Sequence, residues 1–238
     1  MIALLVFARC AGFVFRAPGF SHPSVPAPLR AALSLLLTAA VLPAFAGSHA
    51  VRYDGAAFVL ACASEFFIGA AFGMAASLVY DGAYAGGRAV DDYVGVRAIA
   101  PSLQLVAPSG FGRIWSLAFT GGFFLSGAYR PTLLGLAASF TRLPPGTAPH
   151  AAGWAAFAAA FATTIVLVAL QVAGPSIALA FVVQIALGSL SRAVPRFGSF
   201  TLAFPLAFAA ALVAAVLAMP LVAGRELAPV LAVPGGVP

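Results

Sequence analysis

Glu65 is the residue whose position most suggests chemistry, because it is a lone carboxylate inside a long apolar run, residues 55–80. A carboxylate at membrane depth is costly, so by default it is a candidate functional residue, for example in proton transfer. A proton relay needs further acids nearby, and the sequence places none clearly beside Glu65. The second interpretation is a hydrogen-bonded Glu65 that holds helices together. Both interpretations stay open at this point.

The other polar residues predict neither a catalytic nor a metal centre. Asp91 and Asp92 are adjacent, so on a helix they point about 100° apart and form no obvious acid–base pair. The three histidines are His22, His49 and His150. None of them has a metal-ligating residue at the required spacing. We therefore predict no enzyme, no metal and no cofactor.

Small residues follow Glu65 at four-residue steps. Gly69 and Gly73 are followed at the same interval by Ser77 and Asp81. Small residues at this spacing let helix backbones approach closely, which predicts a tight bundle within the chain or between subunits. The candidate packing or subunit-interface residues are Glu65, Gly69, Gly73 and Asp81.

The composition excludes a soluble protein. Of 238 residues, 63% are hydrophobic and 8% are charged, whereas a soluble domain is about one quarter charged. The net charge of +6 comes from twelve basic and six acidic residues. Every basic residue is an arginine, and the arginines are scattered singly, so we predict loop and interface arginines and no nucleic-acid partner. Cys10 and Cys62 lie in apolar runs, which predicts buried, unreactive thiols.

Long apolar runs predict an all-α integral membrane protein with about six to seven apolar, partly broken helices. A β-barrel is excluded because its strands are short and alternate apolar with polar residues, whereas these runs are long and continuously apolar. The runs cover residues 1–15, 29–47, 55–80, 114–140, 151–173, 175–190 and 200–222. The first run is interrupted by Arg9 and is expected to be a retained helix instead of a signal peptide. The prolines at 131, 175, 195 and 205 are expected to break or end helices. We predict a single helical domain over residues 1–227 and a flexible tail over residues 228–238.

Residues 81–113 form the most polar and glycine-rich part of the chain, and three of the six acids lie there. Such a segment between apolar helices fits a solvated loop, and it fits equally a stretch that lines or plugs a pore.

Three motifs together resemble one protein family. The first runs from Arg16-Ala-Pro-Gly-Phe to Ser24-Val-Pro-Ala-Pro-Leu-Arg30. The second is Glu65-Phe-Phe-Ile-Gly69-Ala-Ala-Phe-Gly73, and the third joins Leu190-Ser-Arg192-Ala-Val-Pro195 to Phe204-Pro205-Leu206. In this order they resemble the FliR/SpaR/YscT family, the R or T subunit of the type III protein export apparatus. The matching motif residues are Arg16, Pro26, Arg30, Arg192, Pro195 and Pro205, together with Asp91 from the stretch Val90–Gly95.

The resemblance implies a non-enzymatic, multi-pass subunit of the bacterial inner membrane, built of helical hairpins. It would join the P- and Q-type subunits (R and S in injectisome naming) and would contact the switch subunit, the export-gate subunit and membrane lipid. Together these subunits would form a gated channel for unfolded exported proteins. A channel-closing loop would lie within residues 94–112, with candidates Val94, Gly95, Arg97, Pro101, Gln104, Pro108, Gly110 and Gly112. The stretch from Val90 to Gly95 is nearer the injectisome branch than the flagellar one.

Two other functions remain open from the sequence. A small secondary transporter would explain Glu65 and the broken helices, although no internal repeat is visible. A membrane-embedded enzyme would need a reactive group of residues, for which Asp91 and Asp92 are the nearest candidates.

Overall fold

A computed structural model describes residues 1–22, 25–45, 53–95, 110–125, 127–147, 151–193 and 200–223. Within these ranges the chain forms seven α-helices, one short 3₁₀ helix and no strand, which confirms the all-α prediction. The helices are α1 (Ile2–Arg16), α2 (Ala27–Val41), α3 (Gly55–Val94), α4 (Phe111–Leu125), α5 (Tyr129–Arg142), α6 (Ala151–Ala193) and α7 (Phe200–Ala223). The 3₁₀ helix, Leu42–Phe45, extends α2.

In the part of the chain that the structure describes, three helical segments are long and apolar enough to cross a membrane: Ala27–Phe45, Gly55–Val94 and Gly153–Arg192. The helix α3 has 40 residues and α6 has 43. At 1.5 Å per residue they extend about 60 Å and about 64 Å, roughly twice the thickness of a bilayer's hydrocarbon core. Both helices are therefore much longer than one perpendicular crossing requires.

Local sequence explains several helix ends. Pro26 is the N-cap of α2 with an extended backbone, and a proline occupies the first turn, where its missing N–H costs no helical hydrogen bond. After α3 the chain turns at Gly95, whose φ of 84° favours glycine. Pro131 likewise lies in the first turn of α5.

Three sequence expectations about helix breaks are wrong. Residues 81–94, expected to belong to an irregular polar segment, continue α3 without interruption. Pro175 was expected to separate two helices, yet it lies inside the continuous helix α6. In apolar surroundings neighbouring helices stabilise a proline within a helix, so the residue type alone does not decide the break. Pro205 also lies within α7, near its start.

The described chain divides into two compact units. The first contains the described residues of Met1–Leu78 and Phe123–Ala162, and the second those of Val79–Gly122 and Thr163–Glu226. Three helices, α3, α4 and α6, contribute residues to both units.

Each unit has its own apolar core. In the first unit, one face of α1 packs with residues of α3 and α5; the buried members include Val6, Cys10, Phe13, Ile68, Phe72, Leu136 and Phe140. In the second unit, alanines predominate in the core; the buried members include Ala83, Val90, Phe111, Trp115, Val172, Ala173, Ala180, Ala207, Ala211 and Ala215. Small core side chains allow the helices of the second unit to approach closely.

Candidate functional site

A buried ion pair joins α1 to α3 in the first unit. Nε of Arg9 donates a hydrogen bond to a carboxylate oxygen of Glu65 at 2.6 Å, and both side chains are 0% exposed. The guanidinium also donates to the carbonyl and hydroxyl oxygens of Ser139 on α5, at 3.1 and 3.3 Å. Its carbon lies 4.4 Å from the centroid of the Phe140 ring. One arginine thus connects three helices.

The second carboxylate oxygen of Glu65 binds the connection that follows α5. It accepts a hydrogen bond from the backbone N–H of Gly146 at 2.7 Å. The hydroxyl of Tyr53 donates to the carbonyl oxygen of the same glycine at 3.2 Å. Gly146 has a φ of 92°, a backbone conformation that favours glycine. Both oxygens of Glu65 therefore have hydrogen-bond donors, as a buried carboxylate requires.

Glycines bring the backbones of α1 and α3 into contact around this pair. A Cβ atom at Gly69 would collide with the carbonyl group of Arg9, and one at Gly12 with the carbonyl oxygen of Phe66. A Cβ atom at Gly73 would lie 2.7 Å from the carbonyl oxygen of Phe13. The contacts advance in the same direction along both helices, from Arg9 beside Gly69 to Phe13 beside Gly73, so the two helices run parallel.

Arg9 was missed by the sequence reasoning, which predicted only loop and interface arginines. It is completely buried because Glu65 supplies the opposite charge. A signal was present: Arg9 interrupts an apolar helix, and a charge there predicts an opposite charge on another helix. The predicted burial of the thiols is confirmed for Cys10 and is wrong for Cys62, which is partly exposed.

A second polar contact joins the ends of α3 and α4 in the second unit. The fully buried Asp91 accepts a hydrogen bond from the backbone N–H of Phe111, the first residue of α4, at 3.1 Å. A carboxylate is favourable at a helix N-terminus, where it satisfies a free N–H and the positive end of the dipole. A Cβ atom at Gly87 would collide with the backbone of Gly112. The two helices are therefore in backbone contact beside Asp91.

The described part of the candidate loop consists of its two ends. Val94 ends α3 and is buried, Gly95 forms a turn, Gly110 is exposed next to Asp91, and Gly112 belongs to α4. The other four candidates lie outside the described residues; they are Arg97, Pro101, Gln104 and Pro108.

The remaining motif residues that the structure describes are distributed over both units. Arg16 ends α1 beside Gly73, and Arg30 in the first turn of α2 donates to the carbonyl oxygen of His22 at 2.9 Å. Asp81 lies partly buried within α3. Arg192 and Pro205 are exposed, on α6 and α7 respectively. Pro195, His49, His150 and the tail 228–238 lie outside the described residues.

Among the described residues, no group of three or more His, Cys, Asp or Glu side chains could hold a metal ion. The polar groups of both sites bind one another and backbone groups of the chain. Together with the apolar surface and the long apolar helices, this architecture defines the class: an all-α membrane protein.

The comparison with known proteins identifies the family. The family described as "Bacterial export proteins, family 1" matches residues 1–225. The chain is 27% identical to the flagellar biosynthetic protein FliR of Bacillus subtilis (strain 168) over 209 residues, which is 85% of this chain and 80% of that protein. The chain therefore belongs to the bacterial export proteins of family 1, and the resemblance to the FliR/SpaR/YscT family is confirmed.

Proposed function

We propose that this protein is a non-enzymatic core subunit of the bacterial type III export apparatus and forms part of the gated channel through which unfolded proteins cross the inner membrane. The observation that carries this proposal is the family match over residues 1–225. The exposed apolar faces of the long helices support it, because such faces need lipid or other subunits to cover them.

The proposal places the chain in the inner membrane as a multi-pass subunit bound to the P- and Q-type subunits. The switch and export-gate subunits are its further partners. The arginine–glutamate pair and the glycine contacts support a structural role, since they connect helices to one another. On this proposal the packing residues Glu65, Gly69 and Gly73 hold the subunit in the shape that its neighbours bind.

Affinity purification in mild detergent, followed by mass spectrometry of the co-purifying chains, tests this function. We expect recovery with P- and Q-type export subunits. Recovery as a well-behaved lone protein or homodimer would contradict the proposal and would favour a small transporter, which a solute-uptake assay on the purified chain would then detect.

The same experiment decides between the two branches of the apparatus. The sequence around Asp91 and Asp92 favours the injectisome type, whereas the similarity to a flagellar protein of Bacillus subtilis favours the flagellar type. The co-purifying subunits will belong to one system or the other, so their identity assigns the branch directly.

We further propose that residues 94–112 close the channel at rest. The support is the hydrogen bond from Phe111 to Asp91, which holds the start of α4 beside the end of α3. On this proposal, the hydrogen bond keeps the two helix ends together while the segment between them acts on the channel.

Shortening the segment within residues 96–109 tests its role. We expect an increased leak of small solutes through the assembled complex, measured by solute entry into cells that express it. The matched control is Gly188→Ala, a change on α6 at a position with open space around it. An unchanged leak with normal co-purification would exclude the loop assignment while leaving the subunit assignment intact.

A further inference from the structure

Two polar side-chain atoms on fully buried residues of the second unit have no hydrogen-bond partner among the described residues. They are Nε1 of Trp115 and Oγ of Ser176. Both residues are 0% exposed. Leaving a buried donor or acceptor unpaired is costly, so such groups in folded proteins are bound by other protein groups or by ordered water.

Trp115 and Ser176 belong to the same core. Trp115 packs in one cluster with Val172, Ala173 and Ala180 of α6. Ser176 is one helical turn after Val172 and one turn before Ala180, so it lies on the face of α6 that this cluster covers. The indole of α4 and the hydroxyl of α6 therefore belong to the same core of the second unit.

The backbone of α6 lacks one helical hydrogen bond directly beside Ser176. Pro175 lies inside the helix and has no N–H to donate to the carbonyl oxygen of Gln171, four residues earlier. In apolar surroundings, serine side chains and ordered waters stabilise helices at such prolines. Ser176, directly after Pro175, is thus placed where internal hydration of a helix is common.

We propose that the second unit contains one ordered internal water molecule between α4 and α6, bound by Trp115 and Ser176. The indole N–H is a donor only, so its ligand must accept a hydrogen bond, and this excludes a metal cation. The serine hydroxyl can donate a hydrogen bond or accept one, so it can bind the same water as donor or as acceptor. A water with two or more polar partners is a lasting part of a protein core.

A protein with a single tryptophan reports on this site directly. The sequence contains two tryptophans, so Trp154→Phe leaves Trp115 as the only indole. In the full chain in detergent, the ultraviolet resonance Raman spectrum shows whether the N–H of Trp115 is hydrogen-bonded. We expect a bonded N–H, and we expect Ser176→Ala to shift that band and the fluorescence maximum toward those of an unbonded indole.

The matched control is Ser189→Ala, which removes an exposed hydroxyl from the same helix; that hydroxyl donates to the carbonyl oxygen of Ile185. It should leave the spectrum of Trp115 unchanged. An unbonded N–H in the parent protein, or equal spectra for the two serine variants, would overturn the proposal.

A double-mutant cycle on unfolding tests whether one water serves both residues. Trp115→Phe and Ser176→Ala should each raise the unfolding equilibrium constant, Ser176→Ala by roughly fivefold, the scale of one hydrogen bond. The double variant should be less affected than the product of the two single effects, because the water is lost only once. Strictly multiplicative effects would exclude a shared water. If Trp115→Phe does not fold, the spectra of the serine variants still decide.

Discussion

The two units of this protein differ in the contacts that stabilise each of them internally. In the first unit, a buried ion pair and its hydrogen bonds connect α1, α3, α5 and the connection after α5. In the second unit, alanines and aromatic rings fill the core, and the buried carboxylate of Asp91 binds the start of a helix. The first unit therefore adds a network of charged partners to its packed core, whereas the core of the second unit consists mainly of small and aromatic side chains.

The two kinds of core contribute differently to stability and to specificity. A buried ion pair gains little free energy over well-packed apolar residues, but it strongly penalises any arrangement in which either charge loses its partner. Apolar helices match one another easily, so the pairing of Arg9 with Glu65 specifies which helices meet. We expect the first unit to be sensitive to single changes and the second to tolerate them better.

The largest effect is expected from Glu65→Ala. It leaves Arg9 buried without its counter-charge, which should cost about 3–5 kcal/mol of unfolding free energy. The measurement is denaturant-induced unfolding in detergent, followed by circular dichroism.

The double variant Arg9→Met with Glu65→Leu should recover most of this loss, because no uncompensated charge remains. A double variant as unstable as Glu65→Ala alone would show that the pair does not act as described, and would remove the contrast between the units.

Gly69→Ala should have the next largest effect. The added Cβ atom meets the carbonyl group of Arg9, so α1 and α3 must separate, at a cost of about 1–3 kcal/mol. Gly188→Ala provides the control, because its Cβ atom meets nothing within 4 Å and alanine favours a helix by about 0.5–1 kcal/mol. Equal stabilities for the two variants would contradict the close approach of the helices.

Gly87→Ala extends the same test to the second unit, where the added Cβ atom meets the backbone of Gly112. A cost similar to that of Gly69→Ala would show that backbone contact through glycine is common to both units. The contrast between them would then rest on the charged network alone.

Asp91→Ala should cost about 1–2 kcal/mol, because the N-terminus of α4 loses its capping acceptor. Asp91→Asn keeps a side-chain oxygen and should recover much of that loss. Both are measured by the same unfolding experiment. Equal losses for the two variants would show that the negative charge, and not the acceptor oxygen, stabilises the helix start.

The smallest effect concerns the two thiols. Burial is the main cause that raises the pKa of the Cys10 thiol above its ordinary value, so even less of the reactive thiolate forms at a given pH. The maleimide labelling of a Cys62→Ala variant should therefore be slow in the folded protein and should start at a higher pH than that of an exposed thiol. A Cys10→Ala variant retains the partly exposed Cys62 and should label faster. Equal rates would show that α1 opens readily.

The sequence alone determined the class of this protein and much of its secondary structure. Hydrophobicity is a property of composition, so 63% apolar residues already require a membrane or an apolar partner. The glycine spacing in α3 likewise predicted close helix packing without reference to a structure.

The tertiary structure decided which polar residues meet. Arg9 and Glu65 are 56 positions apart, and Asp91 and Phe111 are 20 apart. No local pattern links such pairs, because their contact depends on how whole helices pack. The continuity of α3 beyond Tyr80 and of α6 through Pro175 was decided in the same way, since neighbouring helices stabilise residues that by themselves favour a break.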